Sequence, residues 1–332
     1  MFKGPQDLIS QQGQRRRGRS MTGDITPTQI LECLGVGTFS AVFRVRRLED
    51  NKELAMKCES WRAEKQFLKH EAKILESLRK LASPHFVTLQ DRGKVKHRFL
   101  FLIMKLVGKN LWELRVENPY RKFSMVTSLR AAEQTLAGIR DLHSCGFLHR
   151  DIKPPNFAIG REEDGDPHTI YIIDFGLSRQ YRTKDKDLRY QREKVAFRGT
   201  TRYASVNTLE LKEQSRRDDV ESWWYMVLEW MIGELPWKRW DVSHYFLGFL
   251  VAVTVEVTKK RFQNDREKVK QYKKELREKK NLSQAYNLHY ADPPDWDLMV
   301  TYLGPKYEKR PSCFSECLEN KPPSSSECKF FK

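Results

Sequence analysis

The chain has 332 residues, 61 Lys+Arg against 44 Asp+Glu, a formal net charge of +17, and 39% hydrophobic content. That apolar share excludes a wholly disordered polyelectrolyte, and the length suits two domains or one large two-lobed unit with an ample core. Six cysteines (Cys33, Cys58, Cys145, Cys313, Cys317 and Cys328) lack the spacing of a secreted disulfide framework, and Arg15-Arg16-Arg17 is followed by no apolar signal core. A reducing, intracellular compartment, cytoplasm or nucleus, is therefore expected. The longest apolar run, Tyr245 to Val257, is shorter than the ~17–25 residues a spanning helix needs and reads as a buried core element, with no membrane span expected. The positive balance favours acidic partners, whether nucleic acid, anionic lipid, an acidic protein surface or a phosphorylated peptide, and charge alone does not choose among them.

In chain order, residues 1–27 read as a basic, loosely ordered tail. Three short β-type runs follow, 30–34, 41–45 and 54–58, separated by Gly-rich and charged turns that suggest an antiparallel sheet. Residues 62–81 turn helical, with Phe67, Ile74, Leu75 and Leu78 on one apolar face. Glu71 falls on that face, where an unpaired carboxylate would be costly, so a cation is expected in the adjoining sheet. Two more strands are expected near 86–90 and 98–104, and Gly108 leads into a mainly helical remainder. There Leu129, Ala132, Leu136, Ile139 and His143 sketch a long helix, and 220–232, with Trp223, Trp224 and Trp230, reads as a helix apolar nearly all round. Residues 306–332, with Pro322-Pro323-Ser324-Ser325-Ser326, read as a second loose tail.

Four constellations carry chemistry. Gly35-Val36-Gly37 lies between strands, where missing side chains let backbone N–H groups approach phosphate oxygens; alone it is also an ordinary hairpin turn. Ala55-Met56-Lys57 places a lysine in a strand and supplies the cation Glu71 needs, a pair that would hold an ammonium where it meets phosphates. His149-Arg150-Asp151-Ile152-Lys153-Pro154-Pro155-Asn156 is a proline-braced loop with two oxygen-bearing side chains, and Asp174-Phe175-Gly176 ends an apolar strand on a carboxylate. Oxygen ligands beside phosphates are what Mg²⁺ takes.

With these motifs in this order the chain resembles the eukaryotic protein kinases, over residues 28–305. The segment Phe197-Arg198-Gly199-Thr200-Thr201-Arg202-Tyr203-Ala204-Ser205-Val206-Asn207, together with 215–222, resembles the casein kinase 1 group, and Gly146-Phe147-Leu148-His149 its tau-tubulin kinase-like branch. The resemblance implies an α+β bilobal fold: a small antiparallel sheet lobe with one helix (28–108) and a larger, mainly helical lobe (109–305). It implies ATP and Mg²⁺ as cofactors. Gly35, Val36, Gly37, Val42 and Ala55 would border the nucleotide. Lys57, supported by Glu71, would bind its phosphates, and Met104, with the backbone of Lys105 and Val107, would face adenine. Asp151 would orient or deprotonate the substrate hydroxyl, Lys153 would steady the γ-phosphate, and Asn156 and Asp174 would hold metal. Asp219 would organise the catalytic loop. Arg202 and the Gly233 region match the group's substrate anion site, with Lys238 a candidate partner.

Acidic or pre-phosphorylated protein substrates are expected, tubulin or microtubule-associated proteins among the candidates, with no specific nucleic-acid partner and a monomeric state. Three departures stand out: Ser40 in place of the third glycine, a stretch 242–290 unlike the family's helices, and an acidic loop at 161–168. The competing readings are a catalytically impaired scaffold that binds phosphopeptides or tubulin, and a nucleic-acid binder, for which no base-reading module is recognisable. Cys313, Cys317 and Cys328 fit zinc spacing poorly, and the 15–20 basic patch reads as a solvated tail.

Overall fold

The computed structural model describes residues 27–37, 40–95, 97–183, 187–193, 195–235, 237 and 266–278. The chain divides into two compact units, one holding the residues up to Ala82 with Phe86–Val107 and Asp174–Gly176, the other Ser83–His85, Gly108–Ile173 and the residues from Leu177 onward.

The first unit is a five-stranded antiparallel sheet in the order β1 (Thr28–Val36), β2 (Ser40–Arg47), β3 (Glu53–Ser60), β5 (Phe99–Lys105), β4 (Leu89–Val95), with helix α1 (Phe67–Leu78) against it. Period-two alternation splits β3 between two cores. Leu54, Met56 and Cys58 join Ala41, Phe43, Val45, Phe101 and Ile103 in one cluster. Ala55, Lys57 and Glu59 point to the other face, where α1 buries Leu68, Ala72, Leu75 and Leu78. The register sets Lys57 opposite Val42 and Ala55 opposite Met104. The expected strand at 86–90 begins later, at Leu89; Phe86 and Val87 are buried without entering the ladder. The expected helix at 62–81 is shorter, Phe67–Leu78, and its first amides are met by a side chain from β3 rather than by a local cap.

The second unit is mainly helical. Its long helices α3 (Met125–Ser144) and α5 (Arg216–Ile232) are joined by a bond from Trp223 Nε1 to Thr135 Oγ1 at 2.9 Å. Two small ladders pair β7 (Phe157–Ile159) with β8 (Ile170–Ile172), and β6 (Phe147–Leu148) with β9 (Arg179–Gln180). Helix α2 (Leu111–Glu117), absent from the sequence expectation, starts at a reciprocal capping box between Asn110 and Glu113. Two further helices are α4 (Val206–Leu209) and α6 (Arg266–Glu278).

Helix α5 is buried over most of its surface, with Arg217, Trp224, Leu228 and Met231 half-buried, and it is not apolar all round. Asp218, Asp219, Glu221 and Glu229 lie inside it with hydrogen-bond partners, which is how buried carboxylates are tolerated. The 245–257 run and the C-terminal cysteines lie outside the described residues. Among the described residues no helix is long and apolar enough to cross a membrane.

Candidate active site

In the first unit, chemistry gathers around Lys57. Its Nζ lies 2.7 Å from Glu71 Oε2 and 2.8 Å from Asp174 Oδ1. Burial opposes the ammonium, but the two carboxylates outweigh it and hold the Lys57 pKa above the ordinary lysine value. Glu71 Oε1 also accepts the Phe175 N–H at 3.3 Å, and the Phe175 ring packs on Phe86 with centroids 6.2 Å apart. Helix α1 is thereby tied to the 174–176 segment and to β3 through one side chain. Asp174 adopts a left-handed φ of 64°, an uncommon state for a non-glycine residue that recurs at functional sites.

Among the residues expected to border a nucleotide, Gly35 and Val36 end β1 and pair toward β2, and Gly37 N–H turns back onto the Ser40 carbonyl at 2.7 Å. A Cβ added at Gly35 would meet nothing within 4 Å, so that backbone stands open to a ligand. Val42 and Ala55 flank the Lys57 and Met104 positions in register. Met104 is buried, and the Lys105 N–H donates to the Thr88 carbonyl at 3.0 Å; Val107 lies two residues further on.

The second unit holds the 149–156 loop. Asp219 is its clamp: Oδ2 accepts from the His149 N–H and from His143 Nε2, and Oδ1 from the Arg150 N–H, each at 2.8 Å. Burial opposes this carboxylate, but those donors hold its pKa below the usual aspartate value. The clamp fixes Arg150 at φ 66°, which re-aims the chain so that Asp151 follows.

Asp151 Oδ1 accepts from Thr200 Oγ1 at 2.8 Å, and its Oδ2 lies 2.6 Å from Lys153 Nζ. Asn156 Nδ2 donates to the Asp151 carbonyl at 2.8 Å, which leaves its amide oxygen as the metal-type donor. Gly199 lets the 197–204 segment reach this loop. Its φ is 109°, and a Cβ there would sit 2.8 Å from the Arg150 carbonyl. Sequence reasoning placed Asp151, Lys153 and Asn156 on one loop but missed Thr200, which lay inside a quoted motif without a role.

Arg202, expected beside a substrate anion, lies in the second unit. Its guanidinium donates to the buried Glu229 at 3.2 Å and lies over the Trp112 and Tyr203 rings, and the Gly233 carbonyl accepts from Arg115 Nη1 at 2.6 Å. Arg202 thus holds an ion pair with Glu229 at 3.2 Å, and Lys238 lies outside the described residues. Positive charge concentrates elsewhere in the unit: burial first, then the neighbouring guanidiniums of Arg179 and Arg198, pull the Arg150 pKa down to about 10.

In the first unit the Lys57 ammonium and the Asp174 carboxylate have the donor chemistry for a phosphate and a hard cation, and in the second the Asn156 amide oxygen is a hard-cation donor by type. Among the described residues no group of three or more His, Cys, Asp or Glu could by itself hold a metal ion.

A family model described as a protein kinase domain matches residues 28–321. A serine/threonine-protein kinase of Dictyostelium discoideum is 35% identical over 210 residues, covering 63% of this chain and 42% of that protein. The Caenorhabditis elegans serine/threonine-protein kinase spe-6 is 39% identical over 215 residues, 64% of this chain and 55% of its own length. A casein kinase I homologue of Encephalitozoon cuniculi is 29% identical over 301 residues, 87% and 92% of the two chains. The matched stretch thus spans about half the length of the first two relatives. With five antiparallel strands and a helix in one unit, a mainly helical second unit, and a family match over most of its length, this chain belongs to the protein kinase family.

Proposed function

We propose that the chain is an ATP-dependent serine/threonine protein kinase of the casein kinase 1 group, most like its tau-tubulin kinase-like branch. The observation that carries this reading is Lys57, charged and held between Glu71 and Asp174, the arrangement phosphoryl transfer uses to meet a triphosphate. The Ser/Thr preference is supported by Lys153 beside Asp151 with Thr200 bridging to it. Asn156 and Asp174 are the proposed Mg²⁺ ligands; the ion would neutralise charge on the phosphates. Asp151 orients the incoming hydroxyl and receives its proton, Lys153 offsets charge on the transferred group, and Lys57 holds the non-transferred phosphates. Acidic or pre-phosphorylated substrates, tubulin or microtubule-associated proteins among them, are favoured by the crowding of Arg150, Arg179 and Arg198, which an anion would relieve.

The test is transfer of labelled γ-phosphate from Mg·ATP to casein and tubulin by the parent, Lys57→Met and Asp151→Asn. Label incorporated by the parent and lost in both variants is the expected result. No incorporation by a parent that still binds ATP would replace this reading with a phosphopeptide- or tubulin-binding scaffold.

A further inference from the structure

Strand β3 presents two charged side chains to helix α1, and only Lys57 belongs to the machinery described above. Residues two apart in a strand share a face, so Glu59 follows Lys57 onto the α1 side. It is 1% exposed, and its two oxygens accept the backbone N–H groups of Phe67 at 2.9 Å and Leu68 at 3.1 Å. These are the first two residues of α1, among the amides that every helix start leaves without an intrahelical acceptor. The helix provides no local substitute: Gln66 at the N-cap makes no side-chain bond, and the first turn contains no acidic residue. A carboxylate placed there also meets the positive end of the helix dipole.

We propose that Glu59 is a positioning residue: capping α1 from the neighbouring strand, it fixes the helix so that Glu71 meets Lys57. Strand β3 then holds α1 at two points, the Glu59 carboxylate at the first turn and the Lys57 ammonium at Glu71. Moving the helix away from the sheet breaks both contacts and strands a buried, unbonded carboxylate, which is strongly disfavoured. The position of α1 is thereby set by two side chains of β3 itself. The consequence for turnover rests on the kinase reading above; the capping itself does not.

The experiment compares the parent with Glu59→Ala and with Glu59→Ala/Gln66→Asp, which returns a cap from the helix's own N-cap position. In Glu59→Ala the Phe67 and Leu68 amides should exchange with solvent at least about tenfold faster, and kcat should fall at least about tenfold with the KM for protein substrate unchanged. The double variant should recover most of both. If Glu59→Ala does not fold, Glu59→Gln keeps one acceptor and should speed exchange at one of the two amides. Unchanged exchange in the single variant overturns the capping. Exchange restored in the double variant without recovery of kcat overturns the positioning role. A parent with no turnover overturns the kinase reading instead, and the exchange data still decide whether Glu59 caps the helix.

Discussion

Replacing Asp219 with Asn keeps the side chain's size and removes its charge, which isolates the clamp on the catalytic loop. The three donors divide unevenly: His143 Nε2 and the His149 N–H share Oδ2, whereas the Arg150 N–H alone meets Oδ1. An asparagine can keep its single oxygen toward the first two donors, so its NH₂ faces the Arg150 N–H. One charge-assisted hydrogen bond is lost and one buried donor is left facing another, about 2–4 kcal/mol together. At about 2–4 °C per kcal/mol for a domain of this size, the melting temperature should fall by roughly 10 °C. Arg150, at a φ of 66°, should also relax toward the ordinary region once its amide is released, displacing Asp151. Thermal unfolding by circular dichroism, paired with γ-phosphate transfer at saturating ATP, reads both effects. A melting temperature within about 2 °C of the parent and an unchanged kcat would refute the reasoning, showing that the loop's conformation is set by something other than this carboxylate.

Gly199→Ala should lower the melting temperature and turnover together, because its φ of 109° and the 2.8 Å approach to the Arg150 carbonyl leave a methyl group no room. The cost is on the order of 1–3 kcal/mol, and a crystal structure of the variant with an undisplaced 197–204 segment would contradict this. Burial also holds the His143 imidazole below its ordinary pKa of 6.5. Below about pH 6.5 the unfolded chain takes up a proton that the folded chain resists, so this contribution to stability is complete above that pH and declines as pH falls. Unfolding free energies measured from pH 8 to 5.5 should therefore drop more steeply in the parent than in His143→Gln.

The Lys57–Glu71 contact was legible because a carboxylate on an apolar helical face demands a cation, and β3 held one flanked by apolar residues. Glu59 was not. It pairs with backbone amides rather than with another side chain, and nothing in residue type or period marks that. Helix α2 could have been found from Asn110 and Glu113, whose spacing is a capping signature. The Arg202–Glu229 pair was invisible locally, because Glu229 lies 27 residues further along, on helix α5. The same distance effect turned an expected apolar α5 into a helix carrying four buried carboxylates, each matched to a partner from elsewhere in the chain.

The Asp219 clamp also sets a timetable for biosynthesis. His149 and Asp219 are 70 residues apart in the chain. At about 5–20 residues per second, a ribosome delivers the catalytic loop roughly 4–14 s before it delivers the residue that orders it. Through that interval the nascent loop lacks the carboxylate that accepts the His149 and Arg150 amides, so its clamped conformation has to wait until helix α5 has emerged.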